Sequence, residues 1–233
     1  MSDCILRFEQ VSKVYPNGIR ALSDINVEIY RKEFVFLVGE TGTGKTTFLK
    51  LITCEEKPTS GRVFVDNQEV TKLQKSKVPF LRRRIGVVFQ DFKLLPNKTC
   101  FENIEYALQV IGTKPSEIKP KVERALNLVG LGDKWKSYPA ELSGGEKQRL
   151  SIARAIVNQP VIILADEPTG NLDPETSLDI TQLLLRINKL DTTVIMATHE
   201  KGIVDRFRKR VIVIGKNGQL FADVEKGGYL YAI

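Results

Sequence analysis

Between Phe34 and Thr47 the chain runs from five consecutive apolar residues, Phe34-Val35-Phe36-Leu37-Val38, into Gly39-Glu40-Thr41-Gly42-Thr43-Gly44-Lys45-Thr46-Thr47. An apolar run this short, closed by a glycine, suits a strand buried in a parallel sheet rather than a helix; Phe48, Leu49 and Leu51 then begin a helical face. Gly39 to Thr46 fits G-x-x-x-x-G-K-[ST] at every fixed position. Glycines let backbone N–H groups converge on phosphate oxygens with no Cβ in the way, and a new helix adds unpaired N–H groups and a positive dipole end. In such a loop Lys45 reaches the β and γ phosphates of a nucleotide and the Thr46 hydroxyl ligates Mg2+. By itself the loop serves kinases, GTPases and motors equally.

The rest of the composition narrows the setting. A chain of 233 residues with 42% hydrophobic content supports one sizeable core, so a single compact domain is expected. No uncharged apolar run approaches the roughly 18 residues of a membrane span, and the start lacks a signal-peptide pattern, which places the expectation in the cytoplasm. Cys4, Cys54 and Cys100 are isolated and odd in number, which suits reduced thiols rather than a disulfide framework or a zinc site. The net charge of +7 gathers modestly at Arg82-Arg83-Arg84 and Arg206 to Arg210. Such runs are ordinarily a solvated face; lipid headgroups come ahead of DNA as the functional alternative.

Taken in order, Ile5 to Val11 and Ile25 to Ile29 read as short strands around a turn at Tyr15-Pro16-Asn17-Gly18, an antiparallel lobe. Tyr15 is placed either to stack on an adenine or simply as a surface aromatic. Arg62 to Val65 and Ile85 to Phe89 read as further strands, the second ending on Gln90, whose amide could accept from a metal-bound water and donate to a phosphate, or merely cap the strand end. From Asp91 to Tyr138 helical patterns take over. Ile104, Ala107, Leu108 and Ile111 share one face, and Val122, Ala125, Leu126 and Val129 another, so a helical insertion with its own small core is expected. Its apolar entry, Phe92 to Pro96, is either core or a docking surface for another chain.

Ser143 with Glu146 forms a capping-box pattern at the start of a helix, yet Gly144 and Gly145 follow the cap directly. Glycines there cost helix stability, and their use is close backbone approach to an anion. Val161 to Ala165 is the most apolar strand and delivers Asp166 and Glu167: the first suited to hold Mg2+, the second to polarise an attacking water. Asp173 can fix a neighbouring backbone, and Ile180, Leu183, Leu184 and Ile187 read as core. Thr193 to Thr198 is another buried strand ending in His199, the one histidine, expected to face the γ-phosphate region. Val211 to Ile214 reads as the final strand, Asn217-Gly218 as a turn and Gly227 to Tyr231 as a short tail.

Together these residues resemble the nucleotide-binding domain of the ABC ATPases across essentially the whole chain. Tyr15 resembles the adenine-stacking loop, Gly39 to Thr46 the Walker A motif, Gln90 the Q-loop, and Leu142 to Glu146 the LSGGE signature. Asp166 resembles the Walker B metal residue, Glu167 the catalytic base, Asp173 the D-loop and His199 the switch histidine. The implied fold is α/β: a P-loop NTPase of ABC type with a RecA-like parallel-sheet core and N-terminal antiparallel β lobe over 1–90 and 143–233, and a helical subdomain over 91–142. The implied activity is ATP hydrolysis with Mg2+ held at Thr46, Gln90 and Asp166, with Lys45, Gln90, Glu167 and His199 as catalytic residues. The resemblance also implies a head-to-tail homodimer across ATP, in which Ser143, Gly144, Gly145 and Glu146 close over the nucleotide held by a partner copy.

Within the family the resemblance is strongest to cell-division ATPases of the FtsE type. Glu55 to Gly61, Phe89 to Thr99 and Gly227-Gly228-Tyr229 carry it, whereas Glu40-Thr41-Gly42-Thr43 departs from the more usual Pro-Ser-Gly-Ala. That branch implies an integral, FtsX-like membrane partner, signalling to cell-wall hydrolases, a place on the inner face of the membrane, and no nucleic acid. The alternative is the ATPase of a lipoprotein-releasing or macrolide/peptide exporter. A DNA-repair ATPase is disfavoured because no long coiled-coil or C-x-x-C insertion lies between Lys45 and Ser143.

Overall fold

The computed structural model describes residues 3–229. Its first strands are β1 (Cys4–Val14) and β2 (Arg20–Tyr30), joined by the turn at Tyr15 to Gly18. They are longer than the apolar patterning suggests, because register shifts let each bend while staying paired. Next come β3 (Phe34–Val38), α1 (Lys45–Ile52), β4 (Ser60–Val65), the two-residue β5 (Gln68–Glu69), α2 (Val78–Arg82) and β6 (Ile85–Phe89). The helical segment contributes α3 (Cys100–Val110) and α4 (Pro115–Leu128). The chain then returns through α5 (Gly144–Ile156), β7 (Ile162–Asp166), α6 (Pro174–Asn188), β8 (Thr193–Thr198), α7 (Lys201–Phe207), β9 (Arg210–Ile214) and β10 (Leu220–Val224).

Two sheets result. One is antiparallel, in the order β2-β1-β4-β5; the other runs β10-β9-β3-β8-β7-β6, parallel except where β10 joins β9. Side chains alternate across a strand, and β3 shows what that does here. Phe34, Phe36 and Val38 belong to a core shared with the helices, while Val35 and Leu37 belong to one shared with the antiparallel lobe and α1. All five are buried, as a central parallel strand covered on both faces requires.

Two expectations are corrected. The helical segment has no separate core: Leu108, Val122 and Leu126 pack in one cluster with Ile152, Ile163 and Leu184, so α3 and α4 are welded to the helical face of the large sheet. The chain also adds a strand beyond Val211 to Ile214. β10 lies at the sheet edge with no fully buried position, and therefore lacks the apolar run that betrays the central strands. Of the expected tail, Gly227, Gly228 and Tyr229 are placed, with Tyr229 N–H donating to Asp205 Oδ1 at 2.6 Å; Leu230 and Tyr231 lie outside the described residues.

Candidate active site

Parallel strands deliver their carboxyl ends to one edge of the sheet, and there the loops after β3, β6, β7 and β8 meet. They line a cleft of about 490 Å3. The cradle supplies Thr41, Gly42, Gly44, Lys45, Thr46 and Thr47 to its wall; Gln90, Glu167 and His199 come from the other three strands; Tyr15, Ile19 and Ala21 come from the β1–β2 turn and the start of β2.

Gly44 is the N-cap of α1, with φ at 107° and no side-chain hydrogen bond closing the helix. A Cβ at this position would collide with the Ala21 carbonyl oxygen, so both the backbone conformation and the close approach of the two lobes require glycine. The first-turn N–H groups of α1 are thus left to whatever occupies the cleft, and no acidic side chain in the first turn competes for them.

Lys45 is buried, its ammonium donating to the carbonyls of Gly39 at 2.8 Å and Glu40 at 3.1 Å. It also stands 3.6 Å from Glu167 Oε1. The other Glu167 oxygen lies 2.7 Å from His199 Nδ1, so one carboxylate spans lysine and histidine. Glu167 holds φ at 48°, a left-handed conformation costly for a residue with a Cβ, sustained by its N–H bond to Ala197 O at 3.0 Å. Its neighbour faces elsewhere: Asp166, the last residue of β7, accepts from the Thr46 hydroxyl at 3.2 Å. Burial pushes the Asp166 carboxyl above its usual range; the Thr46 hydrogen bond opposes this and the Glu167 charge adds to it. Two hard oxygen groups held together by one weak bond, with a desolvated charge to neutralise, fit a Mg2+ that keeps most of its waters.

Tyr15 stands at the cleft mouth, its hydroxyl 3.1 Å from Thr47 Oγ1 and its ring 4.9 Å from the Lys13 ammonium. Thr43 turns its hydroxyl to Glu40 O at 2.9 Å, bracing the loop rather than lining it. Gln90 lines the cleft, and its amide meets that of Asn171.

One set of expected residues lies apart from the cleft within a single chain. Ser143 caps α5, accepting from Glu146 N–H at 3.3 Å while Glu146 accepts from Ser143 N–H at 2.9 Å and from Lys134 at 2.5 Å. Asp173 caps α6, taking the N–H and hydroxyl of Thr176 at 3.0 and 2.6 Å. The two helix starts pack together. A Cβ on Gly145 would come within 2.6 Å of Thr176 Cγ2, and one on Gly144 within 3.2 Å of Leu172. Glycine at these positions therefore answers first to contacts inside the chain.

The patterning did not single out Ile19, Asn171, or the hydrogen bond that joins Thr169 Oγ1 to Glu200 beside His199. Only Ile19 leaves a trace in the sequence, as an aliphatic residue directly after the Tyr15 to Gly18 turn, and it is exposed in the fold.

The family model described as ABC transporter matches residues 22–170, from β2 through the cradle to the loop after Glu167. The chain belongs to the ABC transporter family. Its cassette is similar to the cell division ATP-binding protein FtsE of Bacillus subtilis, with 51% identity over 225 residues covering 97% of this chain and 98% of that one. It is similar to FtsE of Escherichia coli at 43% over 220 residues, covering 94% and 99%. Among solved structures it matches a dimeric ATP-binding cassette in a post-hydrolysis state bound to ADP and Pi, with a TM-score of 0.86, 36% identity and coverage of 96% and 100%. The resemblance read from the motifs holds, and so does the fold. The cassette is an ATP hydrolase whose cleft combines the parallel-sheet edge with the antiparallel lobe.

Proposed function

We propose that this cassette is the ATPase of an FtsEX-like cell-division complex, hydrolysing ATP as a head-to-tail homodimer and passing the resulting conformational change to an integral, FtsX-like membrane partner. The observation that carries the chemistry is Glu167, 3.6 Å from Lys45 and 2.7 Å from His199. Its carboxylate is placed to take a proton from water attacking the γ-phosphate, while His199 steadies that carboxylate and Lys45 balances the phosphate charge. Thr46 and Asp166, with Gln90 from the neighbouring strand end, β6 pairing β7 at Phe89 and Asp166, would hold Mg2+, which when bound offsets charge on the β and γ phosphates. Tyr15 offers its ring to the adenine.

The dimer reading is supported by what a single chain leaves apart. Ser143 Oγ accepts from Glu146 N–H and still has its own O–H to donate, so the capped start of α5 can meet a second copy's phosphate without uncapping. The cell-division role rests on likeness to FtsE over nearly the full chain. For the partner, the stretch Phe92 to Pro96 at the entry to the helical segment, with Phe92, Leu94 and Leu95 half-buried and Lys93 and Pro96 exposed, is the surface of choice; Asn103 pins it by accepting from Leu95 N–H at 2.8 Å.

Glu167→Gln keeps the shape and removes the base: ATP binding should persist while turnover falls about 100-fold or more. Near-normal turnover would end its assignment as base. Leu94→Arg combined with Leu95→Arg should abolish co-purification with an FtsX-like protein from solubilised membranes while ATP binding is unchanged. Undiminished co-purification would place the docking surface elsewhere.

A further inference from the structure

Gln90 and Asn171 sit on different loops, after β6 and between β7 and α6, and meet through two hydrogen bonds. Asn171 Nδ2 donates to the Gln90 backbone carbonyl at 3.2 Å, and Gln90 Nε2 donates to Asn171 Oδ1 at 3.4 Å. A carbonyl only accepts, so the first bond fixes the nitrogen side of the Asn171 amide towards Gln90 O. The oxygen side is then the one left for the Gln90 side chain, and it can only accept. Gln90 must therefore turn its own nitrogen inward, which leaves Oε1 as the group it offers to the cleft it lines. Space for this comes from Gly170: a Cβ there would lie 2.8 Å from Gln90 Nε2.

We propose that Asn171 is a positioning residue that sets which way round the Gln90 amide faces, so that an acceptor oxygen rather than a donor nitrogen is presented towards the Thr46 and Asp166 oxygens. This rests on the reading that Gln90 faces Mg2+. A cation, or a water bound to it, needs an acceptor; an amide free to turn over spends part of its time offering N–H instead. Asn171 lies two residues before Asp173, so the loop that orients Gln90 is also the one that caps α6.

The test uses the full chain and a non-hydrolysable ATP analogue, with analogue affinity measured in EDTA and across a Mg2+ titration. Asn171→Ala should leave affinity in EDTA unchanged and raise the half-saturating Mg2+ concentration about 3- to 10-fold, the scale of one lost hydrogen bond. Asn171→Asp keeps the acceptor for Gln90 Nε2 and should show a smaller rise. Gln90→Ala should raise the Mg2+ requirement at least as much, and Asn171→Ala should add nothing to it in the double variant. A Gln90→Ala protein with unchanged Mg2+ dependence would remove the reading that Gln90 faces the metal, and the proposal with it. Unchanged dependence in Asn171→Ala alone would overturn the proposal and leave that reading standing. A rise that adds to that of Gln90→Ala, or an equal loss of affinity in EDTA, would also overturn it, because Asn171 would then act by another route.

Discussion

The starts of α1 and α5 are built to opposite plans. α5 is complete in itself: Ser143 and Glu146 close a capping box, and Lys134 adds a charge to it. α3 and α6 are likewise closed, by Thr99 with Glu102 and by Asp173. α1 has a glycine cap in a left-handed conformation, no side-chain acceptor and no acid in its first turn. A helix start carries unpaired N–H groups whichever residues it uses. At α5 the chain supplies its own oxygen and the end is a structural joint; α2, α4 and α7 also start without a side-chain cap, so what sets α1 apart is that its uncapped, left-handed glycine start opens onto the cleft, where an external anion can take the N–H groups. Both starts carry glycines, so glycine content alone does not separate them, and the presence of the cap does.

The most severe way to break this contrast is to give α1 the cap it lacks. Gly44→Ser adds an acceptor, but at φ 107° and with its Cβ driven into the Ala21 carbonyl. It should cost about 2 kcal/mol or more of stability, read by chemical denaturation, and lower ATP affinity at least about 100-fold, read by calorimetry. A Gly44→Ser protein that binds ATP normally would mean that the open helix start is not what holds phosphate.

Ser143→Ala makes the converse change and should have a smaller, different effect. Loss of the cap costs about 1 kcal/mol. ATP affinity of the dilute, monomeric chain should stay within about twofold of the parent, because Ser143 does not line that chain's own cleft. Turnover at concentrations that favour the dimer should fall. Weakened nucleotide binding in the dilute protein would place α5 within the same chain's site and dissolve the contrast.

Much of this arrangement is legible in the sequence, for reasons that differ by element. β3 is written as an unbroken apolar run because a central parallel strand is covered on both faces, the capping box follows a spacing dictated by one turn of helix, and the cradle follows one dictated by a loop that closes on a helix start. The residues that leave no sequence pattern act across loops. Asn103 is fully buried on α3, a polar residue amid apolar ones, because its amide bonds the backbone of Leu95, Lys98 and Thr99. Asn171 is a plain loop residue until folding brings Gln90 beside it. β10 is an edge strand with half-buried positions at every second residue. Periodicity reports burial against a neighbour in the same element; it carries no trace of which distant loop a side-chain amide will meet.

The finest test of the contrast is Glu146→Gln. Glutamine can still accept from Ser143 N–H, so the capping geometry survives and only the charge is lost, along with its attraction to Lys134 and to the helix dipole. The expected cost is about 0.5 kcal/mol, small because the Lys134 side chain is 44% exposed and solvent and salt screen the pair. The Lys134 hydrogen bond, followed by the Ser143 N–H, holds the Glu146 carboxyl below the usual carboxylate range. A depressed folded value means that the stabilisation is complete above the unfolded pKa of about 4.3 and disappears as pH falls through the lowered value. The stability gap between parent and variant should therefore be flat from about pH 8 to pH 6, shrink below about pH 4, and narrow with added salt throughout. Chemical denaturation at several pH values reads it directly. A gap that instead grew towards acid would mean that the neutral acid is the form bonded at the α5 start, and that this helix end, like that of α1, favours no charge of its own.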